Sequence, residues 1–110
     1  LNDDLQATIY DKLLRVKIHF NLSYNYHRMD DLQNALLNAN KGIECCNKYY
    51  LSYSLGHLLY RKGIEEFLLG MPNYLQSLQL AVQILDIQNA GELAEKYKTI
   101  TRETYGIIIK

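Results

Sequence analysis

The chain has 110 residues with twelve basic and twelve acidic side chains, a formal net charge of zero. The balance holds in each half: residues 1–55 and 56–110 each carry six basic and six acidic groups. A nucleic-acid surface needs a basic excess on some face to displace counterions, so direct contact with DNA is not expected.

A chain of this length makes one domain, residues 1–110, and buries roughly 65% of its unfolded surface. It opens on Leu1 rather than Met, and is therefore read as a piece of a longer chain. The two cysteines, Cys45 and Cys46, are neighbours. Adjacent residues do not reach ordinary disulfide geometry without strain. Unpaired thiols indicate a reducing, cytoplasmic setting. No leader and no apolar run near 18 residues is present, so neither secretion nor a membrane contact is expected. The sequon Asn21-Leu22-Ser23 falls inside a helical pattern and is set aside.

One proline and six glycines punctuate the chain, and strand-type alternation is not sustained anywhere. The expected fold is all-α, about five antiparallel helices. Asp3 or Asp4 can cap the first. One of its stripes runs Leu5, Ile9, Leu13, Val16, Phe20 and Tyr24, and a second runs Tyr10, Leu14, Ile18 and Leu22. Two stripes predict two neighbours. A turn at Arg28-Met29-Asp30 leads into a second helix capped by Asp30 or Asp31. Its stripe is Leu32, Ala35, Leu36, Ala39 and Ile43, with Gly42 allowing close approach. Asn47-Lys48 then loosens the chain.

From Tyr50 to Gly70 the spacing predicts a central helix, apolar on several sides through Leu51, Leu55, Leu58, Leu59, Ile64, Phe67 and Leu68. Its first twenty residues would span about 30 Å. Gly70 suits a left-handed cap, with Pro72 beyond it. A fourth helix from Asn73 carries Leu75, Leu78, Ala81, Val82 and Leu85. After the turn Asn89-Ala90-Gly91, a fifth places Leu93, Ala94, Tyr97 and Ile100 inward and a Glu92–Lys96 pair outward. Gly106 ends it. The tail Ile107-Ile108-Ile109 is expected to be exposed, inviting burial by another chain.

Asn21-Leu22-Ser23 with Tyr26 lines up with Ser54-Leu55-Gly56 followed by Leu59 at an offset of 33 residues. The pattern resembles tetratricopeptide helix-turn-helix repeats, whose period is about 34 residues. Leu22-Ser23, Tyr26 and Ala35 occupy the corresponding places in the first repeat. Leu55-Gly56 does so in the second, with Ser77 or Ala81 as the small second-helix residue. The fold is read as two degenerate helix pairs and a C-terminal capping helix.

A narrower resemblance rests on Leu55-Gly-His-Leu-Leu-Tyr-Arg-Lys-Gly63, Tyr74-Leu-Gln-Ser-Leu78, Glu92-Leu-Ala-Glu-Lys-Tyr-Lys98 and Tyr105-Gly-Ile107. These stretches are similar to the C-terminal end of peptide-pheromone-responsive bacterial transcription regulators of the PlcR, NprR, PrgX and Rgg type. Such regulators join a DNA-binding helix-turn-helix to a repeat superhelix that binds a short signalling peptide and dimerises. No DNA-binding motif is visible in this chain, so the resemblance implies a sensor and homodimerisation segment of a quorum-sensing regulator.

First helices of such pairs line the concave face. Their inward spacings pick out Lys17, Phe20, Tyr24 and His27, then Tyr50, Tyr53, His57, Tyr60 and Arg61. Tyrosine offers contact area with a polar tip, and arginine can fork onto a carboxylate. Asn21 and Asn25 lie beside the first stripe, where an amide can pair with both sides of an extended backbone. The peptide-binding set is Lys17, Phe20, Asn21, Tyr24, Tyr53, His57, Tyr60 and Arg61. Each also has a plainer reading as packing, and Arg61 has Glu65 one turn on as a partner. No phosphate loop, dinucleotide fingerprint, nucleophile elbow or zinc-protease motif occurs, and His19, His27 and His57 form no close metal pair. No enzyme, cofactor or metal is expected. The rival reading is a repeat scaffold that docks a protein and takes no small ligand.

Overall fold

The computed structural model describes residues 8–52 and 54–110. Five helices follow one another: α1 (Ile9–Arg28), α2 (Leu32–Lys48), α3 (Leu55–Leu68), α4 (Tyr74–Ile87) and α5 (Gly91–Tyr105). No strand occurs among the described residues, and the all-α expectation holds.

Thr8 starts α1 through a capping box. Its hydroxyl accepts from the Asp11 amide at 3.1 Å, and the Asp11 carboxylate accepts from the Thr8 amide at 3.2 Å. The arrangement satisfies two amides that would otherwise lack partners. Asp3, Asp4 and Leu5 lie outside the described residues. At α2 the expected cap forms, with the Asp31 carboxylate accepting from the Asn34 amide at 3.3 Å.

Each helix stops the same way. Asp30, Tyr50, Gly70, Asn89 and Gly106 follow the five C-termini, all with φ between 56° and 75°. At the four inter-helix turns the next amide bonds back five residues: Asp31 to Tyr26, Leu51 to Cys46, Met71 to Glu66 and Ala90 to Leu85, at 2.8–2.9 Å. This is the Schellman arrangement, which closes orphan carbonyls as it turns the chain. Consecutive helices consequently pack in pairs, and α1 also touches α3.

These turns correct two expectations. The central helix begins at Leu55, not Tyr50, because Tyr50 ends the preceding turn in a left-handed conformation. Measured between the left-handed residues Asp30 and Gly70, the period is 40 residues rather than 33. Gly63 therefore takes the place of Ser23, and Gly56 that of Val16. The Ser23 hydroxyl donates to the Ala35 carbonyl at 2.7 Å, drawing α1 onto α2. A methyl group on Gly63 would lie 2.6 Å from Leu78 Cγ, so α3 approaches α4 equally closely.

The larger core cluster joins Leu59, Tyr60, Ile64, Leu78, Ala81, Val82, Leu85 and Ala94 to Ile107 and Ile109. A smaller one, Val16, Cys46 and Leu58, ties α1 and α2 to α3. The isoleucine tail is thus mostly core: Ile107 and Ile109 are buried, and only Ile108, 67% exposed, faces outward. In α5, Thr101 rather than Ile100 is buried, and the ion pair is Lys98–Glu95 at 3.4 Å in place of Glu92–Lys96. The second stripe of α1 stays exposed at Tyr10, Leu14, Ile18 and Leu22.

Candidate functional site

α1, the start of α3 and the middle of α5 enclose an open groove of about 630 Å³. Tyr10, Leu13, Leu14, Lys17, Phe20 and Asn21 form one wall, and Ser54, His57 and Tyr97 the other. α1 and α3 open the two helix pairs, and α5 follows the second.

Rings hold its floor together. Phe20 meets His57 edge-on at 6.1 Å, His57 meets Tyr97 edge-on at 5.8 Å, and Tyr97 stacks on Tyr60 at 4.0 Å. The Tyr97 hydroxyl lies 2.8 Å from His57 Nδ1. Burial raises the Tyr97 pKa, the nearby Tyr60 adds to the rise and Arg61 opposes it. The phenol therefore stays protonated, and where it donates to Nδ1 the ring hydrogen of His57 sits on Nε2. Burial also lowers the His57 pKa below 6.5, which keeps the ring neutral at pH 7.

Of the sequence-derived set, Lys17, Phe20, Asn21 and His57 share the groove. Lys17 is exposed and forms no ion pair with any described residue. Tyr60 and Arg61 are placed elsewhere. Tyr60 is buried, and its hydroxyl lies 2.8 Å from Thr101 Oγ1, which itself donates to the Tyr97 carbonyl at 2.6 Å. Arg61 donates to Glu65 at 2.6 Å, and His27 Nδ1 lies 2.8 Å from the other Glu65 oxygen. Glu65 is fully buried, so the Arg61 and His27 groups are absorbed in keeping a buried carboxylate partnered. Tyr24 is exposed, its ring 5.8 Å from the guanidinium groups of both Arg28 and Arg61. Tyr50 projects into solvent, Asn25 lines a separate depression with Leu22 and Met29, and Tyr53 lies outside the described residues.

Tyr97 was not singled out as a site residue, because its partners on α3 are 37 and 40 residues away and helical spacing reports only one helix. The spacing of Tyr10, Leu13 and Leu14, now in the wall, places them in packing stripes. Elsewhere, burial and the neighbouring Cys45 push the Cys46 thiol up to about 11, unsuited to nucleophilic work near neutral pH. Among the described residues no three His, Cys, Asp or Glu side chains group as metal ligands, and no helix is long and apolar enough to cross a membrane.

Comparison of the chain with family models, curated proteins and solved structures finds no match.

Proposed function

We propose that this chain is the peptide-sensing, dimerising part of a cytoplasmic bacterial transcription regulator, with the groove between α1, α3 and α5 as the peptide site. The observation that supports it is the meeting of Lys17, Phe20, Asn21 and His57, chosen from the sequence as peptide contacts, along one groove. Its walls combine apolar area with a few polar groups, the usual make-up of a ligand site. The regulator assignment comes from the resemblance of the second half of the chain. DNA binding would belong to a domain outside this sequence.

Binding of short apolar peptides, followed by fluorescence anisotropy, tests the site. Leu14→Asp puts a charge on the exposed groove wall and should weaken binding about tenfold or more. Leu37→Asp, exposed on α2 away from the groove, should leave affinity unchanged. Equal affinity in both variants would remove the groove from consideration.

A scaffold reading draws on a different observation, the uncovered stripe containing Ile18, which is 47% exposed, and Leu22. That stripe suits a second protein surface, including another copy of this chain. If it holds a homodimer, Ile18→Glu with Leu22→Glu should give a monomer in analytical ultracentrifugation.

A further inference from the structure

The described residues lining the groove include a lysine, an asparagine, a serine and a histidine, and no carboxylate. Lys17 brings an ammonium that forms no ion pair with any described residue. It lies one turn from Phe20, whose ring contacts His57, so both walls bring a donor to the same stretch. His57 Nδ1 is taken by Tyr97, whereas Nε2 has no bonded partner and is not among the sealed, unpartnered atoms. With Nδ1 as acceptor, Nε2–H is a ring donor on a side chain that borders both this groove and the depression beside Ser52 and Gln88. The remainder of the lining is Leu13, Leu14, Phe20 and the two tyrosines Tyr10 and Tyr97.

We infer that the groove selects an apolar ligand ending in a carboxylate, held between the Lys17 ammonium and the His57 Nε2–H while its apolar body lies along α1. The inference rests on the peptide-site reading and sharpens it: the recognised end of the peptide is its free C-terminus. Two features support this choice over a neutral or cationic ligand. A carboxylate is acceptor-only and matches a cation without a described ion-pair partner beside an N–H donor. An ammonium-bearing ligand would meet Lys17 with no described carboxylate in the lining to offset it. Charge-assisted hydrogen bonds are roughly twice as strong as neutral ones, so the acid should be distinguished from its uncharged analogue.

The same head group occurs on a peptide C-terminus and on a fatty acid. The test therefore uses an N-acetylated hexapeptide of leucine and phenylalanine as free acid and as C-terminal amide, together with decanoate and decanamide. Calorimetric titration of wild type should favour the peptide acid over the amide about tenfold. Lys17→Met keeps the apolar stem, removes no ion pair with a described residue, and should bring acid and amide within about twofold of each other. His57→Gln, whose amide can still donate, should retain part of the preference.

Equal binding of acid and amide to wild type overturns the inference while leaving the peptide site intact. Lys17-dependent binding of decanoate, with neither peptide form binding, upholds the carboxylate site and defeats the peptide reading. Binding of none of the four probes defeats both.

Discussion

At the residue scale, two side chains are held in conditions that their types do not favour. Burial depresses the His57 pKa, so between the folded value and 6.5 the unfolded chain binds a proton that the folded chain does not. The stability contributed by the neutral buried ring is therefore complete above 6.5 and is lost as pH falls through the folded pKa. Nuclear magnetic resonance titration of the imidazole should give a midpoint below 6.5, and a midpoint at or above that value would contradict the assigned burial. Tyr50 presents the opposite case, 95% exposed yet left-handed at φ 56°. For a residue with a Cβ that conformation costs roughly 1–2 kcal/mol, and the unfolded-state entropy of glycine returns about 0.5–1 of it. Tyr50→Gly should consequently raise stability by about 0.5–1 kcal/mol in urea denaturation, although it removes an aromatic side chain.

At the scale of the helix pair, close approach decides which glycines can be replaced. On Gly63 a Cβ would meet Leu78 Cγ at 2.6 Å and the Leu78 backbone nitrogen at 3.1 Å. The leucine side chain can shift, but the backbone of α4 cannot move without disturbing its own ladder. Overpacking of this kind costs about 1–3 kcal/mol, against a helix-propensity gain of about 1 kcal/mol for alanine. Gly63→Ala should therefore destabilise. Gly91→Ala meets only Asp86 Oδ1 at an ordinary 3.7 Å, so it should be neutral or stabilising. If thermal melts order the two variants the other way, α3 and α4 are not packed this closely.

The same scale explains what was legible in the sequence. Helix stops could be read because Gly70, Gly106 and the polar turns act within a few residues. The repeat period could not, because Asp30, Tyr50 and Asn89 take left-handed positions without being glycine. Spacing along α3 put Tyr60 and Arg61 beside His57 and showed Glu65 as a partner for Arg61, but Thr101 for Tyr60 and His27 for Glu65 come from distant helices. The groove was half legible, since α1 supplies one wall in sequence order and Tyr97 arrives from a distant helix.

For the molecule as a whole, the two core clusters are unequal, and that inequality sets the order in which parts open. α3, α4, α5 and the isoleucine tail share the larger cluster, whereas α1 buries only Val16 and Ser23 fully and leaves an apolar stripe in water. Its other ties to α3 include the Phe20–His57 contact, the His27–Glu65 bond and the Arg61 guanidinium over the Tyr24 ring. Local stability follows buried apolar contact, so the amides of α1 should exchange with deuterium through a partial opening cheaper than global unfolding. Those in the middle of α4 should exchange only with the whole. Glu65→Gln should widen the difference: it exchanges a charged acceptor for an amide, weakening the bond from α1 at His27 and leaving the Arg61 charge without its partner inside the fold. In such a variant, protection of α1 should drop further than that of α4 at the same pH and temperature. Identical exchange free energies for α1 and α4 in the wild type would show instead one cooperative unit. The groove wall would then be as rigid as the core behind it, and a ligand would have to bind a surface already formed.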